Sequence, residues 1–456
     1  MVPPGPPVPR PSPSHSTPGL PSPPPLGLVG VGRLHWLTGL FRAWRIVVIF
    51  VAMLGAAVMD YTGLAGLGLS VLLVSVLALF VGFLTWWMVR YRFDGDDLVL
   101  ETGLLRWHSR QIPLARLQAV DLVRPAVARL FGLAELRLKV AGDDRAEAPF
   151  RYLRRSGAQG LRAELLARAA GLDARTPEAP ERVLYRLPPS VLFGSLIFRL
   201  PVMAGGILFC SLLALGIIGA EPGVLGGAVP LLLGLLRAVA SPLVTYWNFT
   251  IAHSPDGLRL RYGLMETRMQ TVPPGRIQAL RISEPLLWRS LDWARVEVNV
   301  AGYVGERTLL ASVLLPAAPK ELAHRIVSVV FPGVRLEATR LLAAPGRSGI
   351  AAPLRGNACA AGTDDVVFVT RRGVICRETD VIAHVRAQSV RLTAGPWQRL
   401  FGLATVHVDS SPGPVHVTAP HRYAEEARAI VESEAERARR ARASAPSDRW
   451  MVTPRG

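Results

Sequence analysis

Four stretches of this chain are apolar over all or most of the length of a membrane crossing. Tyr61 to Val89 and Leu200 to Ala220 hold no charged residue, Ile46 to Met59 is a shorter charge-free run, and Pro222 to Phe249 is broken only by Arg237. A crossing helix needs about 20 apolar residues. The runs therefore predict two transmembrane helical hairpins, turning at Asp60 to Gly63 and at Ala220 to Gly223. Elsewhere the apolar positions alternate, as in Leu136 with Leu138, Val296 with Val298 and Val406 with Val408. That is the period of strands with one buried face.

The alternating stretches are copies of one another. Gly103, Arg116, Gln118 and Arg129 recur as Gly263, Arg276, Gln278 and Arg289, then as Gly373, Arg386, Gln388 and Arg399, displaced by 160 and then 110 positions. Apolar positions keep the same register: Ile112 with Val272 and Ile382, Leu122 with Ile282 and Leu392. Such a ladder marks duplication of a structural unit. In the first copy it predicts strands around Leu98 to Glu101, Leu104 to Trp107 and through Arg110 to Arg124, then a short insert near Arg129 and a strand over Glu135 to Ala141. Closing helices are expected over Gly157 to Ala170, Lys320 to Val329 and Arg422 to Arg442.

Short strands followed by one helix predict a small antiparallel barrel or sandwich plugged by that helix. The expected fold class is α+β with transmembrane helices: three antiparallel β-barrels, each capped by a C-terminal helix, plus two hairpins. The expected order is a Pro-rich disordered tail over 1–32, an interfacial segment and first hairpin over 33–89, and a first domain over 90–172. A linker over 173–199 leads to the second hairpin over 200–247 and a second domain over 248–331. A linker over 332–363, a third domain over 364–442 and a disordered tail over 443–456 complete it. The third domain, with no hairpin before it, is expected to hang on a flexible tether.

Charge sets the orientation. Arg33, Arg42 and Arg45 precede the first hairpin and Arg90 and Arg92 follow it, while its turn carries only Asp60; Arg199 precedes the second, whose turn carries only Glu221. Cytoplasmic flanks are enriched in Lys and Arg, so both termini and all three copies are expected in the cytoplasm of a cell whose plasma membrane the chain spans. Trp86, Trp87, Tyr246 and Trp247 fall where aromatic rings favour the headgroup zone. The net charge of +18 invites a nucleic-acid reading, but only Lys139 and Lys320 are lysines. An Arg, Ala, Gly and Pro bias is what GC-rich coding produces, with attraction to an anionic leaflet as the other source. No nucleic-acid-binding motif accompanies the charge.

The segments Tyr91 to Gly142 and Trp247 to Gly302 share an I-P or V-P step followed by R-[LI]-Q, at Arg116 to Gln118 and Arg276 to Gln278, and a closing Ala-Gly pair. They resemble the bacterial pleckstrin-homology-like domain, and the whole arrangement over 33–440 resembles the YdbT-like PH-domain membrane proteins. The resemblance implies a PH-like barrel, a membrane location and no known catalytic residues. The third copy departs from it, with Ala383 in place of the proline and Ser411-Pro412 in place of Ala-Gly.

Candidate chemistry is sparse. The forks of Arg116, Arg276 and Arg386 beside Gln118, Gln278 and Gln388 suit phosphate or carboxylate; the same residues can cap strand ends. Arg129, Arg289 and Arg399 lie near Trp288, Trp293 and Trp397 in a segment suited to a membrane or partner surface. Arg237 is the ionisable residue within a predicted span, where charge is costly and often functional. Cys210, Cys359 and Cys376 form no CxxC pair, and no catalytic, metal or cofactor motif is present. The expectation is a non-enzymatic, membrane-anchored scaffold in contact with the lipid bilayer, without cofactor or nucleic acid, recognising a protein partner, a second copy of itself or anionic headgroups. The alternative is a four-span transport or export component with regulatory domains.

Overall fold

The computed structural model describes residues 32–33, 35–94, 97–102, 108–114, 117–140, 148–169, 181–219, 222–255, 257–301, 312–352 and 358–444. The expectations for both tails therefore lie almost wholly outside the described residues. Each copy follows one plan, in which a four-stranded sheet precedes a three-stranded meander and a closing helix. In the first copy β1 (Gly32–Arg33) is followed by α1 (Leu37–Met88), then β2 (Arg90–Asp94), β3 (Asp97–Thr102) and β4 (His108–Pro113). Its meander is β5 (Leu117–Pro125), α2 (Ala126–Leu130), β6 (Leu133–Val140) and β7 (Ala148–Arg154), closed by α3 (Arg155–Ala169).

The second copy places α4 (Pro189–Ile197), α5 (Leu200–Ile218) and α6 (Pro222–Tyr246) between β8 (Arg182–Arg186) and β9 (Thr250–Ser254). It continues with β10 (Gly257–Tyr262), β11 (Glu266–Val272), β12 (Ile277–Pro285), α7 (Leu286–Ser290), β13 (Trp293–Val300), β14 (Val313–Pro319) and α8 (Lys320–Val330). The third runs through β15 (Leu342–Ala343), α9 (Arg347–Ala351), β16 (Ala360–Thr363), β17 (Val367–Arg372) and β18 (Cys376–Ala383). Its meander is β19 (Ser389–Thr393), α10 (Pro396–Leu400), β20 (Leu403–Asp409) and β21 (Val417–Tyr423), closed by α11 (Ala424–Ser444). The stretches read as linkers thus supply β8 and β15, the first strands of the next sheets. The apolar helices are insertions between the first and second strands.

The sheets are not closed barrels. The meander of one copy joins the four-stranded sheet of the next, giving two seven-stranded sheets in the orders β7-β6-β5-β11-β10-β9-β8 and β14-β13-β12-β18-β17-β16-β15. Closure within a copy would need β12 to pair with β11. Pro273 and Pro274 offer no amide donor there, and the 3-10 turn Pro274–Arg276 redirects the chain. Both junctions use one register: Leu122 stands opposite Met269, and their counterparts Ile282 and Thr379 stand opposite each other.

At the second junction the joined sheet is a wall between two cores. Val367, Val369, Val381 and Ala383 of the third copy lie in the core of the second, while Phe368 and Ile382, on alternate positions of the same strands, lie with Ala279 in the core of the third. Strand alternation sends neighbouring residues to opposite faces, so burying both faces locks the copies together. The third copy is therefore not loosely tethered. Asn299 adds a two-way bond, donating to the Val415 carbonyl at 2.7 Å and accepting from the Val415 amide at 2.9 Å. Arg281 donates to both carboxylate oxygens of Asp380 at 2.6 and 3.2 Å, with Asp380 fully buried.

Three helices, α1, α5 and α6, are long and apolar enough to cross a membrane. A straight 52-residue helix would span about 78 Å, more than twice a hydrocarbon core of about 30 Å. Gly63, at φ 68° and ψ −172°, breaks α1. Gly39 and Gly82 lie backbone to backbone, a Cβ on Gly39 falling 2.8 Å from the Gly82 carbonyl oxygen. The two halves of α1 therefore run side by side, with small residues at the closest approach. Leu37 and Phe41 of α1 pack on Ala128, Leu133 and Tyr152 of the first copy, so this stretch is continuous with α1 and docked onto protein. Tyr246 is likewise core, packed edge-on to Phe249 and tilted against Tyr262, whereas Trp87 is half-exposed.

Replacing Asp380 with Ala leaves Arg281 charged, buried and without its main partner. Removal of one member of such a pair costs about 3–5 kcal/mol. Denaturant unfolding of the full chain in detergent should show that loss, and the Arg281→Met, Asp380→Ala double variant should recover most of it.

Candidate functional site

Two arginines of the ladder reach across the junctions. Arg129, on α2, donates from Nη1 to the Leu264 carbonyl at 3.1 Å, in the turn that opens β11. Arg289, on α7, donates from Nη2 to the Val374 carbonyl at 2.6 Å, in the same turn one copy on. That turn requires glycine: Gly263 and Gly373 have φ of 112° and 89°, and a Cβ there would collide with the carbonyl oxygens of Glu266 and Cys376. Arg399, on α10, folds back to the Ala394 carbonyl of its own copy at 3.0 Å. Arg129 and Arg289 are therefore clasps between copies.

Arg276 and Arg386 end the 3-10 turns Pro274–Arg276 and His384–Arg386. The Arg276 carbonyl accepts from the Ala301 amide at 2.9 Å and from the side-chain nitrogen of buried Gln278 at 3.3 Å. Arg386 is half-buried, and exposed Gln388 donates to the Ser411 hydroxyl at 3.3 Å. Arg116 and the side chain of Gln118 lie outside the described residues. Arg237 is exposed on α6. Among the tryptophans, Trp288 is buried, Trp293 packs at the edge of the same core, and Trp397 is 72% exposed.

A different set of arginines converges on a cleft of about 420 Å³ at the first junction, between α3 and the outer face of β8 to β11. Arg162, Arg186, Arg259 and Arg261 line it with Gln159, Gln270 and Asn248, and Glu181 is its lining carboxylate. Arg162 is buried and crosses the junction, donating from Nη2 to the Thr271 hydroxyl at 2.6 Å and from Nε to the Val120 carbonyl at 3.3 Å. Glu181 lies 3.6 Å from Arg259. Nearby, burial and then the charges of Arg155, Arg129 and Arg261 push the Arg124 guanidinium below its usual range, a sign of crowded positive charge.

The cleft is not demanded by the fold. Arg259, Arg261 and Thr271 occupy the positions that hold Val369, Arg371 and Val381 one copy on, where the face is packed into a core. At the first junction that face is polar and open. Its location is also specific, because Asn248 and Thr250 follow directly on α6 and Arg186 stands just before α4. The cleft lies at the foot of the apolar helices. Aligning the copies would have revealed it: an Arg where the next copy has Val is a signal that a search for shared residues discards.

The chain matches the family model described as the bacterial PH domain over residues 39–169, 197–332 and 341–441. It belongs to that family. It is also similar to the UPF0699 transmembrane protein YdbT of Bacillus subtilis (strain 168), with 23% identity over 309 residues, which cover 59% of this chain and 61% of that protein. No solved structure matches.

In the third bacterial PH domain a buried pair fastens the closing helix. His384 Nδ1 lies 2.6 Å from a carboxylate oxygen of Glu434 on α11, and Nε2 lies 2.9 Å from the Asp364 carbonyl. Both ring nitrogens face acceptors, so only the imidazolium can donate to both. Burial by itself would lower the His384 pKa; the bond to Glu434, the bond to Asp364 and the charge of Glu434 outweigh it and lift the group above its usual value. A raised folded pKa adds stability that is complete below the unfolded value of about 6.5 and disappears as pH rises through the folded one. The stability difference between the native chain and His384→Gln should thus be largest near pH 6 and shrink by pH 9. Thermal melting across that range checks it, and a difference that stays level or grows would contradict the assignment.

Proposed function

We propose that this protein is a non-enzymatic, membrane-anchored scaffold that binds an anionic lipid headgroup in the arginine-lined cleft at its first junction. The two halves of α1, and α5 with α6, serve as two hairpins. Their loops lie on the far side, and the Arg-flanked ends and all three domains lie on the cytoplasmic side of the plasma membrane. The support for the anchor is the apolar, largely exposed surface of these helices.

The observation that carries the headgroup reading is the replacement, on one repeated sheet face, of core-packed Val369 and Val381 by Arg259 and Thr271 beside Arg162 and Arg186. Guanidinium forks match the oxygens of a phosphate two at a time. A cleft of this volume falls in the range of small-ligand sites. Its place at the foot of α6 keeps it within reach of headgroups without any motion of the sheets.

The test is the melting temperature of the full chain in neutral detergent, with phosphatidylglycerol or phosphatidylcholine added. Selective binding to the folded state raises that temperature. Phosphatidylglycerol should stabilise the native chain more than phosphatidylcholine, and the Arg186→Gln, Arg259→Gln variant should lose the difference. Equal effects of the two lipids, or an unchanged response of the variant, would refute headgroup recognition at this cleft.

A further inference from the structure

The junction that joins the copies leaves one half of itself unused at each end of the described chain. The outer edge of β19, counterpart of the paired edges of β5 and β12, has no strand against it among the described residues, and neither has the outer edge of β4, counterpart of β11 and β18. In sequence, the third copy keeps the ladder arginine, Arg399 on α10, and the first keeps Gly103-Leu104-Leu105 at the positions of Gly263-Leu264-Met265 and Gly373-Val374-Ile375. Beside β19, Trp397 and Leu400 are 72% and 71% exposed, whereas Leu287, the counterpart of Trp397, is half-buried and lines a groove at the second junction together with Ile375 and Cys376.

We propose that the junction is made once more, between molecules: β19 of one chain pairs antiparallel with β4 of a second copy. Carrying over the register common to the two internal junctions sets Ser389 opposite Ile112, Leu392 opposite Ser109 and Arg391 opposite Arg110. The membrane favours this arrangement, because the step from the first domain to the second carries one set of apolar helices to the next within one bilayer. A further step of the same kind keeps the next chain in that plane. The contact is head-to-tail, so it builds a ring or an open chain of molecules rather than a symmetric pair.

Charge at the new junction is weaker than at the second one. There Arg281 meets Asp380, whereas Arg391 would meet Arg110, with Asp409 beside it at 2.8 and 3.3 Å from the Arg391 guanidinium. Like charges set directly opposite are unfavourable. Association is therefore reversible and rises with salt. Arg110→Asp copies the Arg281 and Asp380 pairing and should strengthen association several-fold while reversing its salt dependence.

The experiment is oxidative crosslinking of the full chain in native membranes. Cys210, Cys359 and Cys376 are replaced by Ala, and folding is checked by melting in detergent. The Ser109→Cys, Leu392→Cys variant should give a ladder of covalent multimers beyond the dimer, and Leu392→Cys alone should stay monomeric. A covalent dimer from Leu392→Cys alone would mean symmetric edge pairing and overturn the proposal. So would an adduct to a different protein, or no product at all from the folded double variant.

Discussion

The pairing of each meander with the following copy's sheet is the constraint on which the rest of the molecule depends. A strand edge is a row of unmet amides and carbonyls that seeks a partner strand. Here each internal edge is met by the next copy at one fixed register. A one-residue slip would exchange the faces of every strand. In the second sheet that slip would move Val367, Val369 and Val381 out of one core and Phe368 and Ile382 out of the other.

From that constraint follows the division of labour between the two junctions. The second is filled: valines on one face, Phe368 and Ile382 on the other, with Arg281 and Asp380 buried at the seam. The first uses the same backbone pairing but places Arg259, Arg261 and Thr271 on the corresponding face and spans the gap with Arg162. One junction holds the molecule together with packed side chains on both faces. The other keeps a polar cleft open beside the apolar helices, because there the strand pairing and the Arg129 clasp already supply the adhesion.

Much of the fold was legible in the sequence. Alternation and the three-fold ladder marked strands, a short insert at Arg129 and the three closing helices, since both periods are set by local backbone geometry. Strand partnership was not legible. Periodicity says which residues share a face but not which edge a strand seeks, so closed barrels were expected where joined sheets formed. The ladder was visible but its purpose was not: Arg129 and Arg289 reach carbonyls more than eighty positions away, and a carbonyl carries no side-chain signature. Asp292 holds at φ 54° the turn that Gly132 and Gly402 hold at 66°, so one backbone shape is kept by different residues. Arg259 and Thr271 carry no ladder signal because their positions hold Val369 and Val381 one copy on.

The third domain, expressed alone as residues 341–444, tests the account most directly. Without the second copy, Val367, Val369, Val381 and Ala383 lose the core that buries them, and β18 loses the partner that pairs its edge. The fragment should be aggregated or unfolded, with no cooperative melting transition. A soluble fragment that melts cooperatively, with hydrogen-exchange protection through β17 and β18, would show that the copies are independent domains and that the shared sheet is not what holds the molecule together.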